Sequence, residues 1–235
     1  MYIRNFKISS TDVAMNRKLR ISALLRMAQD ATVEHTTELG MGRDKTLDRG
    51  FLWVIIRQVT KIYRLPEYDE CVRLETWPGN MMHVFFPRYT RLLSESGEVL
   101  AEISAFWTLI NAETRQLISP ESEGIIVPRE TTGNEFPLPY EVIAKNIVTD
   151  ETFEFTVPYS YADINGHMSN LRYLDIVEDV LPDSVRMRQP SKIICEYANE
   201  IRFAETVKIS YGHDGNRWLF RGDGDKHKFS VLMEY

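Results

Sequence analysis

The spacing of apolar positions changes several times along the chain, and each change marks an element. Met1–Ile8 alternates apolar with polar residues, the two-residue period of a half-buried strand, and a polar turn follows at Ser9–Asp12. From Arg20 to Glu38 the period lengthens: Ile21, Leu24, Leu25, Ala28 and Ala31 form the stripe of an amphipathic helix, and Gly40 supplies its stop. Beyond a polar loop at Gly42–Gly50, the run FLWVIIRQVTKIYRL is rich in β-branched and aromatic residues and long enough for a bent strand. Glu70–Trp77 alternates again and Pro78–Asn80 turns the chain. Val84–Leu93 and Glu98–Asn111 then predict a hairpin across Ser-Glu-Ser-Gly. After a turn at Asn111–Thr114 the strand pattern continues through Leu117. The first half thus reads as one strand, one long helix, and several strands that pair antiparallel.

Pro120–Asp150 is different. It holds Pro120, Pro128, Pro137 and Pro139 with Gly124 and Gly133, and its periodicity is weak, so it reads as a partly packed connection. The expected division is a first unit over residues 1–122, a connection over 123–150 and a second unit over 151–235. The second unit repeats the first. Phe155-Thr-Val157 matches Phe6-Lys-Ile8 at an offset of 149 (155 minus 6), which also sets Asn165 on Asn16 and Leu174 on Leu25. Further on, ETVKI at Glu205–Ile209 matches ECVRL at Glu70–Leu74 at an offset of 135 (205 minus 70). The difference is assigned to the Gly42–Gly50 region, which the second half lacks.

Where the copies disagree, chemistry is expected. Asp163 falls on Ala14, His167 on Lys18, and Glu200 on Leu65. In the stretch YSYADINGHMSNLRYLDIVE, Asp163, Asn165 and His167 alternate with Ala162, Ile164 and Gly166. An extended backbone would put the three polar groups on one side; the Asn-Gly pair equally spells a hydrogen-bonded turn. Ser169 or Asn170 is placed to cap a helix with apolar positions Leu171, Leu174, Val177 and Leu181. A carboxylate, an amide and an imidazole beside a helix start suit the polarisation or attack of a carbonyl.

Composition narrows the classes. With 235 residues, 43% hydrophobic and 11% aromatic content, the chain has ample core for one large or two small domains. A formal charge of −6 and no long basic run argue against nucleic acid as a partner. Cys71 and Cys195 have no C-x-x-C spacing, and no window reaches the length of a membrane span. The opening MYIRNFKISS reads as strand, not as a signal or transit segment, so a cytoplasmic setting is expected.

At the level of motifs the chain resembles the acyl-ACP (acyl carrier protein) thioesterases of plants and bacteria. The family pattern D-x-N-x-H-x-x-N-x-x-Y is met by Asp163, Asn165, His167, Asn170 and Tyr173, and E-Y-x-x-E on the following strand by Glu196, Tyr197 and Glu200. Trp53, Val54 and Arg57 match a strand of the first half, as do Thr76 and Trp77. The resemblance implies an α+β tandem hotdog, each antiparallel sheet wrapped around a central helix. It also implies a catalytic set of Asp163, Asn165, His167 and Glu200. Plant members often carry Cys directly after the catalytic Glu; here that position is Ile201, so a cysteine-nucleophile route is closed to this chain.

The resulting expectation is hydrolysis of fatty acyl-ACP to free acid and carrier, with no cofactor and no metal. Glu200 and His167 would activate water, Asn165 and helix-start amides would hold the oxyanion, and Asp163 would orient Asn165 or the backbone. Met27, Ala28 and Ala31 on the first helix, with Asn170, are candidates for the acyl-chain site. The partner would be acyl carrier protein bearing a phosphopantetheine-linked chain. Arg17, Lys18 and Arg20, or Arg186, Arg188 and Lys192, are candidate docking clusters. Asp175 and Glu178 read as solvent-facing or capping charges. A homodimer, an acyl-CoA thioesterase and a non-catalytic acyl-binding module stay open as alternatives.

Overall fold

The computed structural model describes residues 1–119, 121–125, 136–143 and 147–235. Five strands come from the first half: β1 (Tyr2–Lys7), β2 (Phe51–Ile62), β3 (Cys71–Pro78), β4 (Phe86–Ser94) and β5 (Val99–Asn111). Five more follow: β6 (Glu151–Thr156), β7 (Lys192–Tyr197), β8 (Thr206–Asp214), β9 (Arg217–Asp223) and β10 (His227–Glu234). They make one sheet in the order β1-β3-β4-β5-β2-β7-β10-β9-β8-β6, with every neighbouring pair antiparallel. The fold is the expected tandem hotdog, with the two sheets fused edge to edge along β2 and β7.

Duplication is written into the hydrogen bonding. β1 meets β3 from Tyr2 opposite Thr76 to Lys7 opposite Cys71; β6 meets β8 from Glu151 opposite Tyr211 to Thr156 opposite Thr206, the same register at offsets of 149 and 135. Bridges between Val13 and Leu19 and between Lys18 and Glu67 recur as Ala162 with Met168 and His167 with Arg202. The extra residues of the first half lie in the loop after α1 and in the front of β2, ahead of a bulge between Ile55 and Arg57.

Helix α1 (Ile21–Glu38) buries Ile21, Leu24, Leu25, Met27, Ala28 and Ala31 against the sheet. It closes as the sequence predicts: Gly40 takes φ +78°, and the N–H groups of Gly40 and Met41 reach back to the Thr37 and Thr36 carbonyls. The second central helix is shorter. α2 (Arg172–Val180) buries Tyr173, Leu174, Ile176 and Val177 and stops at Pro182, which has no N–H to continue it; a short α3 (Asp183–Arg186) follows. Neither Ser169 nor Asn170 caps α2 with its side chain; Leu171 holds that position, and the Ser169 carbonyl accepts the Arg172 N–H at 2.9 Å instead.

One hydrophobic core runs beneath both helices. Part of the expected connection covers the opposite face of the sheet: Phe136 packs edge-on against Trp77 and Tyr89, while Ile143 and Ile147 join Val59, Ile194, Leu219 and Leu232. Residues 126–135 and 144–146 of that connection lie outside the described residues. Among the described residues no helix is long and apolar enough to cross a membrane, and no cluster of His, Cys, Asp and Glu could hold a metal ion.

Candidate active site

The segment from Ala162 to Met168 is a tight hairpin and not an extended strand. Gly166 has φ +74°, a left-handed backbone that glycine adopts without a Cβ clash. Asp163 organises the turn: its carboxylate accepts the N–H of Asn165 at 2.8 Å and of His167 at 3.2 Å, and its own N–H donates to the His167 carbonyl. The Asn165 amide lies 3.5 Å from the same carboxylate. Asp163 and Asn165 are exposed and His167 is buried, and it is a turn, not an extended strand, that carries the three polar groups.

What brings Glu200 to His167 is a second set of backbone bonds. Met168 N–H donates to the Ile201 carbonyl at 2.7 Å and Phe203 N–H to the Gly166 carbonyl at 2.9 Å, so the hairpin is zipped to the segment after β7. Ile201 is fully buried and pins that segment. Glu200 therefore stands in the loop beyond β7, not on the strand, with Oε2 at 3.3 Å from His167 Nε2. Asp163, Asn165, His167 and Glu200 all border one cleft of about 930 Å³.

A residue from the other half completes the cluster. Arg115 follows the turn after β5, where the Asn111 side chain accepts the N–H groups of Glu113 and Thr114 at 2.9 Å. Its φ of +59° is costly for a non-glycine residue and aims the side chain across the seam. Nη1 lies 3.2 Å from Glu200 Oε1 and Nη2 lies 3.2 Å from His167 Nε2. Local sequence offers no sign of this contact, which spans the two copies; the unusual backbone of a turn arginine shows only in three dimensions.

Beside the cleft sits an apolar chamber of about 340 Å³, and the two share Leu52, Trp53 and Asn165 as walls. The segment the second half lacks supplies part of the chamber: Gly42, Thr46 and Leu47 line it beside Met41 and Phe51, with Thr32, Thr36, Phe86 and Trp107. The candidate chain-binding positions fare unevenly. Met27 and Ala31 are buried in the core and line neither space. Ala28 borders a narrow inner gap of about 20 Å³, while Asn170 borders both that gap and the cleft.

Other titratable groups sort themselves. Burial pushes the Cys195 thiol up to about 12, which removes it as a nucleophile at neutral pH. Tyr173 packs edge-on against Tyr197 and Phe229 at 5.3 and 4.7 Å between ring centres. Asp175 is paired with Arg172 at 2.8 Å. Glu178 is not a solvent-facing charge: burial raises its carboxyl to about 7, and it lines neither the cleft nor the chamber. Of the two basic clusters, the later one is spent within the fold. Arg186 donates to the carbonyls of Glu178, Asp179 and Leu181, and Lys192 pairs with Glu141 and Glu234. Arg202 and Lys226 instead border the cleft.

Comparison with known proteins points to one family. The chain is 27% identical over 219 residues to dodecanoyl-[acyl-carrier-protein] hydrolase of Cinnamomum camphora, covering 85% of this chain and 56% of that protein. It is 24% identical over 216 residues to palmitoyl-acyl carrier protein thioesterase of Arabidopsis thaliana, at 85% and 52% coverage. The chain thus spans about half the length of these chloroplastic relatives. Among solved structures, the 12:0-ACP thioesterase of Umbellularia californica superposes with a TM-score of 0.82 at 22% identity, over 99% of this chain and 96% of that one. An acyl-ACP thioesterase of Bacteroides thetaiotaomicron gives 0.80 at 20% identity with the same coverage. Residues 1–125 match the model of the acyl-ACP thioesterase N-terminal domain and residues 144–230 that of the C-terminal domain, and the chain belongs to the acyl-ACP thioesterase family.

Proposed function

We propose that this chain hydrolyses the thioester of fatty acyl-ACP, releasing the free acid and the carrier thiol. The observation that carries the reading is the 3.3 Å approach of the Glu200 carboxylate to His167 on the wall of a cleft joined to an apolar chamber. A thioester needs little help in losing its thiolate, whose conjugate acid has a pKa of about 8.5 with a cysteine thiol as guide. The work lies in deprotonating water and holding the oxyanion.

In this mechanism the Glu200–His167 pair takes a proton from water as its oxygen bonds to the carbonyl carbon. The oxyanion of the tetrahedral intermediate is received by the Asn165 amide. The N–H groups of Asn170 and Leu171 at the head of α2 are further donors, since neither has a partner among the described residues. Collapse breaks the C–S bond, and the thiolate leaves with the proton held by the pair. Asp163 does not touch the substrate; it fixes the backbone that carries Asn165 and His167. Arg115 donates to the carboxylate and the imidazole and holds them in register.

The acyl chain would lie in the chamber and the pantetheine arm in the cleft. Arg202 and Lys226 at the cleft are suited to an acidic carrier. One chain supplies both halves of the site, so self-association is not required. The deciding assay is release of free thiol from pooled acyl-ACP, beside matched acyl-CoA. Thiol release that is faster from the carrier and weakens steeply with salt is expected; equal rates and equal salt response would shift the assignment to acyl-CoA. No release from either would sink the reading.

A further inference from the structure

The chamber is mainly apolar, with threonines and Asn165 on its wall, and it holds one buried charge. Arg88 on β4 lines both the chamber and the inner gap, and is only 5% exposed. Its Nε donates to Thr76 Oγ1 at 2.9 Å and its Nη2 to His35 Nδ1 at 2.7 Å. Both partners are neutral: accepting that bond commits His35 Nδ1 to its unprotonated form. Burial, with the Arg88 charge next in weight, moves the imidazole down to about 4. Among the described residues no Asp or Glu forms an ion pair with Arg88, and its Nη1 makes no hydrogen bond. A buried guanidinium without a counter-charge is strongly destabilising.

Folding does not ask for this charge. Strand register gives the equivalent position in the second half: Arg88 faces Pro78 across β3–β4 as Trp218 faces His213 across β8–β9. Trp218 is an ordinary core residue there. The first copy carries a cation at this position, on the wall of the space where the acyl chain would lie.

We propose that Arg88 anchors a carboxylate at the far end of the acyl chain, which makes the preferred substrates half-thioesters of dicarboxylic acids. The inference rests on the thioesterase reading for its substrate but not for its anchor. A distal carboxylate supplies the missing counter-charge and accepts from Nη1, while the methylenes between it and the thioester lie against Phe86, Trp53 and Trp107.

The test is hydrolysis of ω-carboxyacyl and methyl-terminated acyl thioesters of equal length, with calorimetric binding of the matching free diacid and monoacid. The wild-type chain is expected to favour the carboxylated substrate, and to bind the diacid more tightly, by about tenfold or more. Arg88→Met is expected to reverse that order in both measurements. Should Arg88→Met fail to fold, Arg88→Lys, which keeps charge without the planar fork, is expected to shrink the preference severalfold. Equal or methyl-favouring turnover and binding in the wild-type chain would overturn the inference while leaving the thioesterase reading intact. Diacid preference without any thiol release would uphold the anchor and overturn the hydrolase.

Discussion

The two copies share a skeleton and differ in what fills it. Beneath α2 the second half is solid: Phe220, Phe229 and Val231 are fully buried, and Tyr173 packs edge-on against Phe229. Gly222 yields its place to the Phe229 ring; a Cβ there would sit 2.0 Å from a ring carbon. Beneath α1 Val231 and Phe229 are matched by the smaller or comparable apolar Ile103 and Ala101, but Phe220 is matched by a polar residue, Thr90. Thr76 and Thr90 face each other where the second half has Tyr211 and Phe220, and a chamber opens beyond them. The half that holds His167 and Glu200 is solid under its helix, and the half proposed to receive the chain is hollow. Reacting groups must be held to within fractions of an ångström, whereas chain selection needs only shaped space.

The sharpest way to break this division is to remove the reacting pair. Glu200→Gln and His167→Ala should each lower kcat by roughly 10²–10⁴ with an unchanged melting profile. Near-wild-type turnover in either folded variant would take that residue out of the mechanism. The solid half is tested next. Phe229→Ala should cost about 3–5 kcal/mol in denaturant unfolding and leave the ratio of turnover on long and short chains unmoved. A changed chain preference would mean that the second core also shapes the substrate.

Glu178 is the flaw in that solid half. Burial disfavours the charge and raises its folded carboxyl to about 7. The folded state therefore holds more protons than the unfolded between the ordinary glutamate range and neutrality, so stability falls as pH rises through that window. Glu178→Gln should be indistinguishable from wild type at pH 4. It should be more stable at pH 8 by at most about 3 kcal/mol, with melting temperature against pH as the readout. A gain that is equal at both pH values would assign the effect to packing instead.

Much of the skeleton was legible because its signals are local. The α1 stripe, the Gly40 stop and the β4–β5 hairpin follow from residue spacing alone. So did the repeat, whose two offsets hold down to single backbone bonds. The motif residues were legible through resemblance, but the backbone under them was not: Asn-Gly made a turn, and the polar groups converge because the turn is zipped to residues 201–203. Met27 and Ala31 line neither the cleft nor the chamber because the middle of a helix stripe is what packs on the sheet. The chamber opens where the stripe runs out, at Thr32 and Thr36. Arg115 was invisible because its contacts with His167 and Glu200 cross from one copy to the other.

That crossing gives the next prediction. If the first half contributes a positioning group, Arg115→Met should lower kcat by about 10- to 100-fold, the range of a charge-assisted hydrogen bond. KM should change far less, because the guanidinium grips the protein's own carboxylate and imidazole and not the chain. A rise in KM at constant kcat would make Arg115 a substrate-binding group and move the functional boundary between the halves.

The smallest expected effect concerns the chamber wall. The Thr36 hydroxyl already donates to the Thr32 carbonyl at 2.7 Å, so it is not a free polar group awaiting substrate. Thr36→Leu gives up that local bond and adds methylene bulk to a space of about 340 Å³. Stability should shift by less than about 1 kcal/mol, since the cavity accepts the side chain without displacing core. Discrimination should move more: one methylene in an apolar pocket changes relative kcat/KM by about tenfold or more. The ratio of long- to short-chain turnover should therefore fall by about that factor, with kcat on the short chain preserved. An unchanged ratio in a folded Thr36→Leu variant would mean that the chain lies elsewhere, and the contrast between a hollow half and a solid one would then lose its functional meaning.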